Sequence, residues 1–97
     1  MKKNLSSRID PKIRHIVMLL RKNGVETFES CQGGMGHAFF EPTVRFHGNR
    51  AEGLRALSIA MNHGLPVAEL RRKWSIQEGE ITGPWWEITF VPTKGSD

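Results

Sequence analysis

Apolar positions along this chain change period at its glycines, and each change marks an element. Ile13, Ile16, Val17 and Leu20 recur at i, i+3, i+4 and i+7, one stripe of an amphipathic helix near 11–23. Asp10 is placed to accept the orphan amides as N-cap, Pro11 suits the first helical position, and Gly24 ends the element after Asn23. Val25–Ser30 then reads as a strand, with Phe28 on one side and Thr27 and Glu29 on the other. Pro42–His47 alternates, Val44 and Phe46 against Arg45 and His47. After Gly48-Asn49 a second helix runs from Arg50 to His63, with Leu54, Leu57, Ser58 and Met61 as its expected buried stripe and Gly64 as its stop.

The third strand spans Val67–Ile76, with Leu70, Trp74 and Ile76 opposite in parity to Arg71, Lys73 and Ser75. Arg72 falls on the apolar parity, which requires a sheet edge or a carboxylate partner. Glu78–Pro84 reads as a turn region. The fourth strand, Trp85–Val91, turns Trp86, Ile88 and Phe90 inward and Trp85, Glu87 and Thr89 outward.

The resulting order is αββαββ, and a mostly antiparallel four-stranded sheet with both helices on one face buries every one of these stripes. The fold class is α+β. A length of 97 residues suits one domain, assigned to residues 10–91 between flexible tails at 1–9 and 92–97. The second sheet face is expected to carry Thr27, Glu29, Arg45, His47, Arg71, Lys73, Trp85 and Glu87. Such an open face calls for a ligand or a second subunit, so a homo-oligomer is expected.

Composition narrows the classes. Apolar residues make up 38% and charged residues 25%, and no apolar run approaches the roughly eighteen residues of a membrane span. Met1-Lys-Lys lacks the apolar core of a signal peptide, and a single cysteine excludes an internal disulfide, so a cytoplasmic location is expected. The net charge of +4 is a mild bias toward anionic partners.

Candidate chemistry gathers at Glu29-Ser-Cys-Gln-Gly-Gly-Met-Gly-His37. Gly33, Gly34 and Gly36 suit neither strand nor helix, and their grouping points to positive φ or close approach by another group. Successive glycine amides can form a nest for an anion, and Arg45 and Arg71 on neighbouring strands offer guanidinium forks. The segment is not a P-loop, since no Gly-Lys-Ser/Thr follows and the next element is a strand. Cys31, His37 and His47 match no strong zinc spacing, and no metal or cofactor is assigned. A Cys31 nucleophile needs His37 or His47 as base, with Glu29 or Glu87 orienting it, yet a buried structural thiol fits the strand end better. Trp85 on the outer face needs something to stack on, a nucleobase or a second subunit. Arg71-Arg72-Lys73 is split between two faces by strand alternation, so a long nucleic acid ranks below a small anionic ligand.

Glu-Ser-Cys-Gln-Gly-x-x-Gly-His at 29–37, Pro-Thr-Val-Arg-Phe-His-Gly at 42–48, Gly-Leu-Pro-Val at 64–67 and Gly-Pro-Trp-Trp-Glu-Ile-Thr-Phe at 83–90 resemble small proteins of bacteriophages and prophages over nearly the whole chain. The Ser30-Cys31-Gln32-Gly33 core is also similar to a Ser-x-Ser-Cys-Ser-Gly-Arg segment of the wybutosine-synthesising tRNA methyltransferase family, without its first Ser or its Arg. The first resemblance implies a compact binder of host molecules, such as a sponge for nucleotide-derived immune signals. The second implies an RNA-associated protein.

Residue by residue, the expected ligand site comprises Ser30, Cys31, Gln32, Gly33, Gly34, Gly36, His37, Arg45, His47, Arg71, Trp85 and Glu87. A non-enzymatic binder of an anionic, nucleotide-derived molecule is the favoured function. An RNA-associated protein and a Cys31/His-dependent enzyme are the alternatives.

Overall fold

A computed structural model describes residues 9–37 and 39–92. Ala38 and the greater part of both assigned tails, residues 1–8 and 93–97, lie outside the described residues. The elements are α1 (Arg14–Lys22), β1 (Glu26–Cys31), β2 (Thr43–His47), α2 (Arg50–Asn62), β3 (Val67–Gln77) and β4 (Glu80–Phe90), in the expected αββαββ order. The strands form one antiparallel sheet in the order β1-β2-β4-β3. Among the described residues, no helix is long and apolar enough to cross a membrane.

Both helices cover one face. The α1 stripe of Ile13, Ile16, Val17 and Leu20 is buried against Val44 and Phe46 of β2 and Trp86, Ile88 and Phe90 of β4. Ile9, assigned to the tail, also belongs to this core. Asp10 does not cap α1: Ile13 stands at the cap without a side-chain bond, and residues 11–13 form a turn ahead of the helix. The Asp10 carboxylate is committed elsewhere, to the backbone N–H of Gln32.

The second helix is rotated from its expected orientation. Its buried residues are Gly53, Ala56 and Ala60, while Leu54 and Met61 are exposed and Leu57 is partly buried. The Trp86 indole decides this. A Cβ at Gly53 would lie 2.4 Å from the ring, so only a glycine lets the helix approach this closely. The indole N–H also donates to the Asn49 carbonyl at 2.9 Å, and the Asn49 side chain accepts the Glu52 amide as N-cap.

In β1 a bulge changes the parity. Thr27 pairs with Phe46 and Glu29 with Arg45, leaving Phe28 as the extra residue. Thr27 therefore shares the helix face, where its hydroxyl accepts from Arg21, and Phe28 crosses to the face expected to be polar. Residues 78–84 are mostly strand: only Glu78 and Gly79, with φ of 52° and 81°, make the turn, and β3 and β4 form one long hairpin. Irregular pairing at Trp74 leaves that side chain exposed, as are Ile76 and Ile81. Arg72 lies on an edge strand, as its parity required, and meets the Trp86 face at 5.2 Å rather than a carboxylate.

Candidate functional site

The expected ligand residues divide into two groups at opposite ends of β2. Cys31 pairs with Thr43, and Trp85 lies beside His47, one step beyond the Phe46–Trp86 pair. Thr43 and His47 are four residue steps apart along the strand, a distance of about 13 Å. The residues expected to form one site are therefore spread along β2, with Arg45 in the middle of the strand.

The first group surrounds the glycine loop. A short turn joins α1 to β1, so the two run antiparallel and the chain before α1 meets the chain after β1. Two reciprocal bonds lock this junction: the Gln32 amide donates to Asp10 Oδ2 at 3.0 Å, and the Lys12 amide donates to Gln32 Oε1 at 3.1 Å. Gly33, Gly34 and Gly36 all have positive φ, as their grouping suggested. Gly33 also needs the space, since a Cβ there would sit 2.7 Å from the returning backbone at Glu41 and Pro42. The loop uses its own donors, however. The Gly34 amide donates to the Phe40 carbonyl at 2.8 Å and the Gly33 amide points to Cys31 Sγ at 3.4 Å, so these two are not open to an anion.

The loop returns His37 to the junction. His37 Nδ1 lies 3.7 Å from Asp10 Oδ2, its Nε2 lies 3.4 Å from Gln32 Nε2, and one donor atom each of Asp10, Cys31 and His37 lie within 4.8 Å of one another. Cys31 is buried, as the structural reading of this thiol expected. Ser30 pairs with Val44 and takes the helix-face parity, so it does not join this group.

The second group lies farther along the sheet face that no helix covers. Arg45 is not an open anion ligand. Its Nε bonds Glu87 and its Nη1 bonds Glu29, each at 3.0 Å, and its guanidinium lies between the rings of Phe39 and Trp85. Lys73 reaches the same Glu87 at 3.8 Å, giving an alternating chain Glu29–Arg45–Glu87–Lys73. Arg71 is held by Glu69 at 3.0 Å, and that hydrogen-bonded pair raises its pKa further. Three cations expected on this face are thus met by the protein's own carboxylates. Arg71 pairs in register with Glu87, whose side chain is buried, so a ligand reaches Glu87 only by displacing these partners.

Beside the ion pairs is an aromatic group. Phe28 stacks on His47 with centroids 4.3 Å apart, and Trp85 meets Phe28 edge-on at 6.2 Å. Phe28 is 42% exposed, and the Trp85 indole nitrogen is buried without a hydrogen-bond partner. Sequence alternation had placed Phe28 in the core and Asp10 at a helix cap, and so missed both. Nothing local announces the bulge, while the Asp10–Gln32 bond spans 22 positions.

No family model matches the chain, and no curated protein or solved structure is significantly similar to it.

Proposed function

We propose that this protein is a binding module that stacks a planar heteroaromatic ligand, nucleotide-derived, on the sheet face formed by Phe28, His47 and Trp85. The exposed Phe28 carries the reading. A phenylalanine carried by a bulge out of the core and onto an open face, stacked beside an imidazole, is a surface on which a base can lie. Lys73, next to Trp85 in register and only loosely engaged by Glu87, is the cation available to a phosphate. The resemblance to small phage and prophage proteins supplies a setting in which sequestering a nucleotide-derived host signal is useful.

The charges of the face favour a small ligand over a long nucleic acid. Glu29, Glu69 and Glu87 engage Arg45 and Arg71 closely and Lys73 loosely, so the described residues of this face offer a phosphate one lysine and not the continuous basic track of a phosphate backbone. Titration of the protein with mono-, di- and cyclic nucleotides, with tRNA in parallel, tests the reading. Saturable quenching of tryptophan fluorescence by a nucleotide, lost in Phe28→Ala, is the expected result. Binding of tRNA alone, with a steep salt dependence, would replace it with the RNA-associated reading.

A homo-oligomer belongs to the same proposal, with a changed interface. Trp85 is half-buried against Phe28 and Arg45, whereas Trp74, Ile76 and Ile81 are exposed on the hairpin end that extends beyond β2. This apolar end, on an edge strand, is the surface a second copy covers.

A further inference from the structure

We propose that Asp10, Cys31 and His37 bind one divalent transition-metal ion of the zinc class. The site lies at the far end of β2 from the aromatic face and does not rest on the ligand-binding reading.

The donor set selects the ion. One thiolate, one imidazole and one carboxylate suit zinc or cobalt, whereas calcium and magnesium require oxygen donors. Asp10 and the Cys31 thiolate carry two negative charges, which match the charge of the ion. Donor atoms around a tetrahedral zinc stand roughly 3.3–3.8 Å apart, given bonds of about 2.0–2.3 Å. Those of Asp10, Cys31 and His37 lie within 4.8 Å. Contraction by about 1 Å is available because the His37 side chain is a third exposed and can rotate toward Asp10 and Cys31, which the Gln32 amide and the strand end hold in place.

The surroundings are also those of a metal site. The Gly33 amide points at Cys31 Sγ, where it can donate to a metal-bound sulfur, and the Gln32 amide orients the Asp10 carboxylate. His37 Nδ1 and Asp10 Oδ2 already face each other at 3.7 Å, so an ion between them needs only small side-chain movements. This also accounts for the length of the glycine loop. Gly34 and Gly36, each with positive φ, turn the chain so that His37 returns to the strand it left six residues earlier. Three protein ligands leave a fourth position for water, the arrangement of sites that bind or activate a further molecule.

The whole protein, freed of metal by chelation, is titrated with cobalt chloride. One equivalent is expected to produce a thiolate-to-cobalt charge-transfer band and the visible bands of tetrahedral cobalt, both bleached by zinc. Zinc is also expected to raise the melting temperature and to slow alkylation of Cys31. Cys31→Ser should abolish the charge-transfer band. His37→Ala and Asp10→Asn, which alter partly exposed side chains and keep the core intact, should each weaken cobalt binding by about tenfold or more. Absence of the band in folded wild-type protein would overturn the site. So would equal affinity in His37→Ala and Asp10→Asn, which would mean a thiol binding metal without its neighbours.

Discussion

The guanidinium Nε of Arg45 stands 3.0 Å from Oε2 of Glu87, a carboxylate buried in the middle of the sheet. This pair joins β2 to β4 across the face that has no helix, and Glu29 on β1 extends it. Its first role is therefore to hold three strands together. Removing one partner leaves the other buried and uncompensated, which costs about 3–5 kcal/mol in comparable cases. Arg45→Met is expected near the lower end, about 3 kcal/mol, because Lys73 still neutralises Glu87. The double variant Arg45→Met/Glu87→Gln should recover part of that loss. Urea unfolding of the two variants measures the difference.

Gly53→Ala tests the contact that sets the orientation of α2. Helix propensity alone favours alanine by about 1 kcal/mol. The Trp86 ring, 2.4 Å from the new Cβ, opposes it. Overpacking of this kind costs roughly 1–3 kcal/mol, and the ring is locked by its bond to Asn49. Net destabilisation, with an altered near-ultraviolet dichroism of Trp86, is the expected outcome; a more stable variant would show that the indole moves aside.

On the aromatic face, Phe28→Ala and Trp85→Ala should each weaken nucleotide binding by ten- to a hundredfold. That corresponds to about 1–3 kcal/mol, the scale of base–aromatic stacking in single-strand complexes. His47→Ala should have a smaller effect, since its ring supports Phe28 from one side. Isothermal titration with the best-bound nucleotide gives these numbers, and circular dichroism checks that the fold is retained.

Acid should release an ion pair within α2. Two hydrogen bonds from Arg55, at 2.7 and 2.8 Å, hold the Glu52 carboxyl below its ordinary pKa against an opposing desolvation. Arg55 also donates to the Asn23 carbonyl at 2.6 Å, joining α2 to the end of α1. Since the folded pKa of Glu52 is the lower one, its contribution is complete above the unfolded carboxylate pKa. It is lost as pH falls through the folded value. The stability difference between wild type and Glu52→Gln should thus vanish in acid and be present at neutral pH. The pair is at the surface, so the difference is small.

Association through the hairpin end is checked by sedimentation. Wild-type protein is expected to sediment above monomer mass at tens of micromolar, on the order of ordinary dimer affinities. Ile81→Glu, opposite Ile76 in the exposed hairpin, should return it to monomer without unfolding it. A monomeric wild type would remove the self-association proposal.

Local periodicity was enough for the order of elements, the α1 stripe and the inward set Trp86, Ile88 and Phe90, because each depends on residues a few positions apart. Positive φ at the glycine loop was legible for the same reason, since three clustered glycines have few other uses. What escaped depends on packing between distant segments. Phe28 changes face because β1 accommodates an extra residue against β2, and its own flanking residues read equally well as simple alternation. The stripe of α2 rotates because Trp86, 33 positions after Gly53, needs a surface without a side chain. Arg45 looked like an anion ligand until the sheet order put Glu29 and Glu87 on either side of it. Asp10 reached Cys31 and His37 only because α1 and β1 run antiparallel from a tight turn. Sequence spacing reports which side chains share one element's face; which faces meet is decided by the closure of the sheet and the approach of its helices.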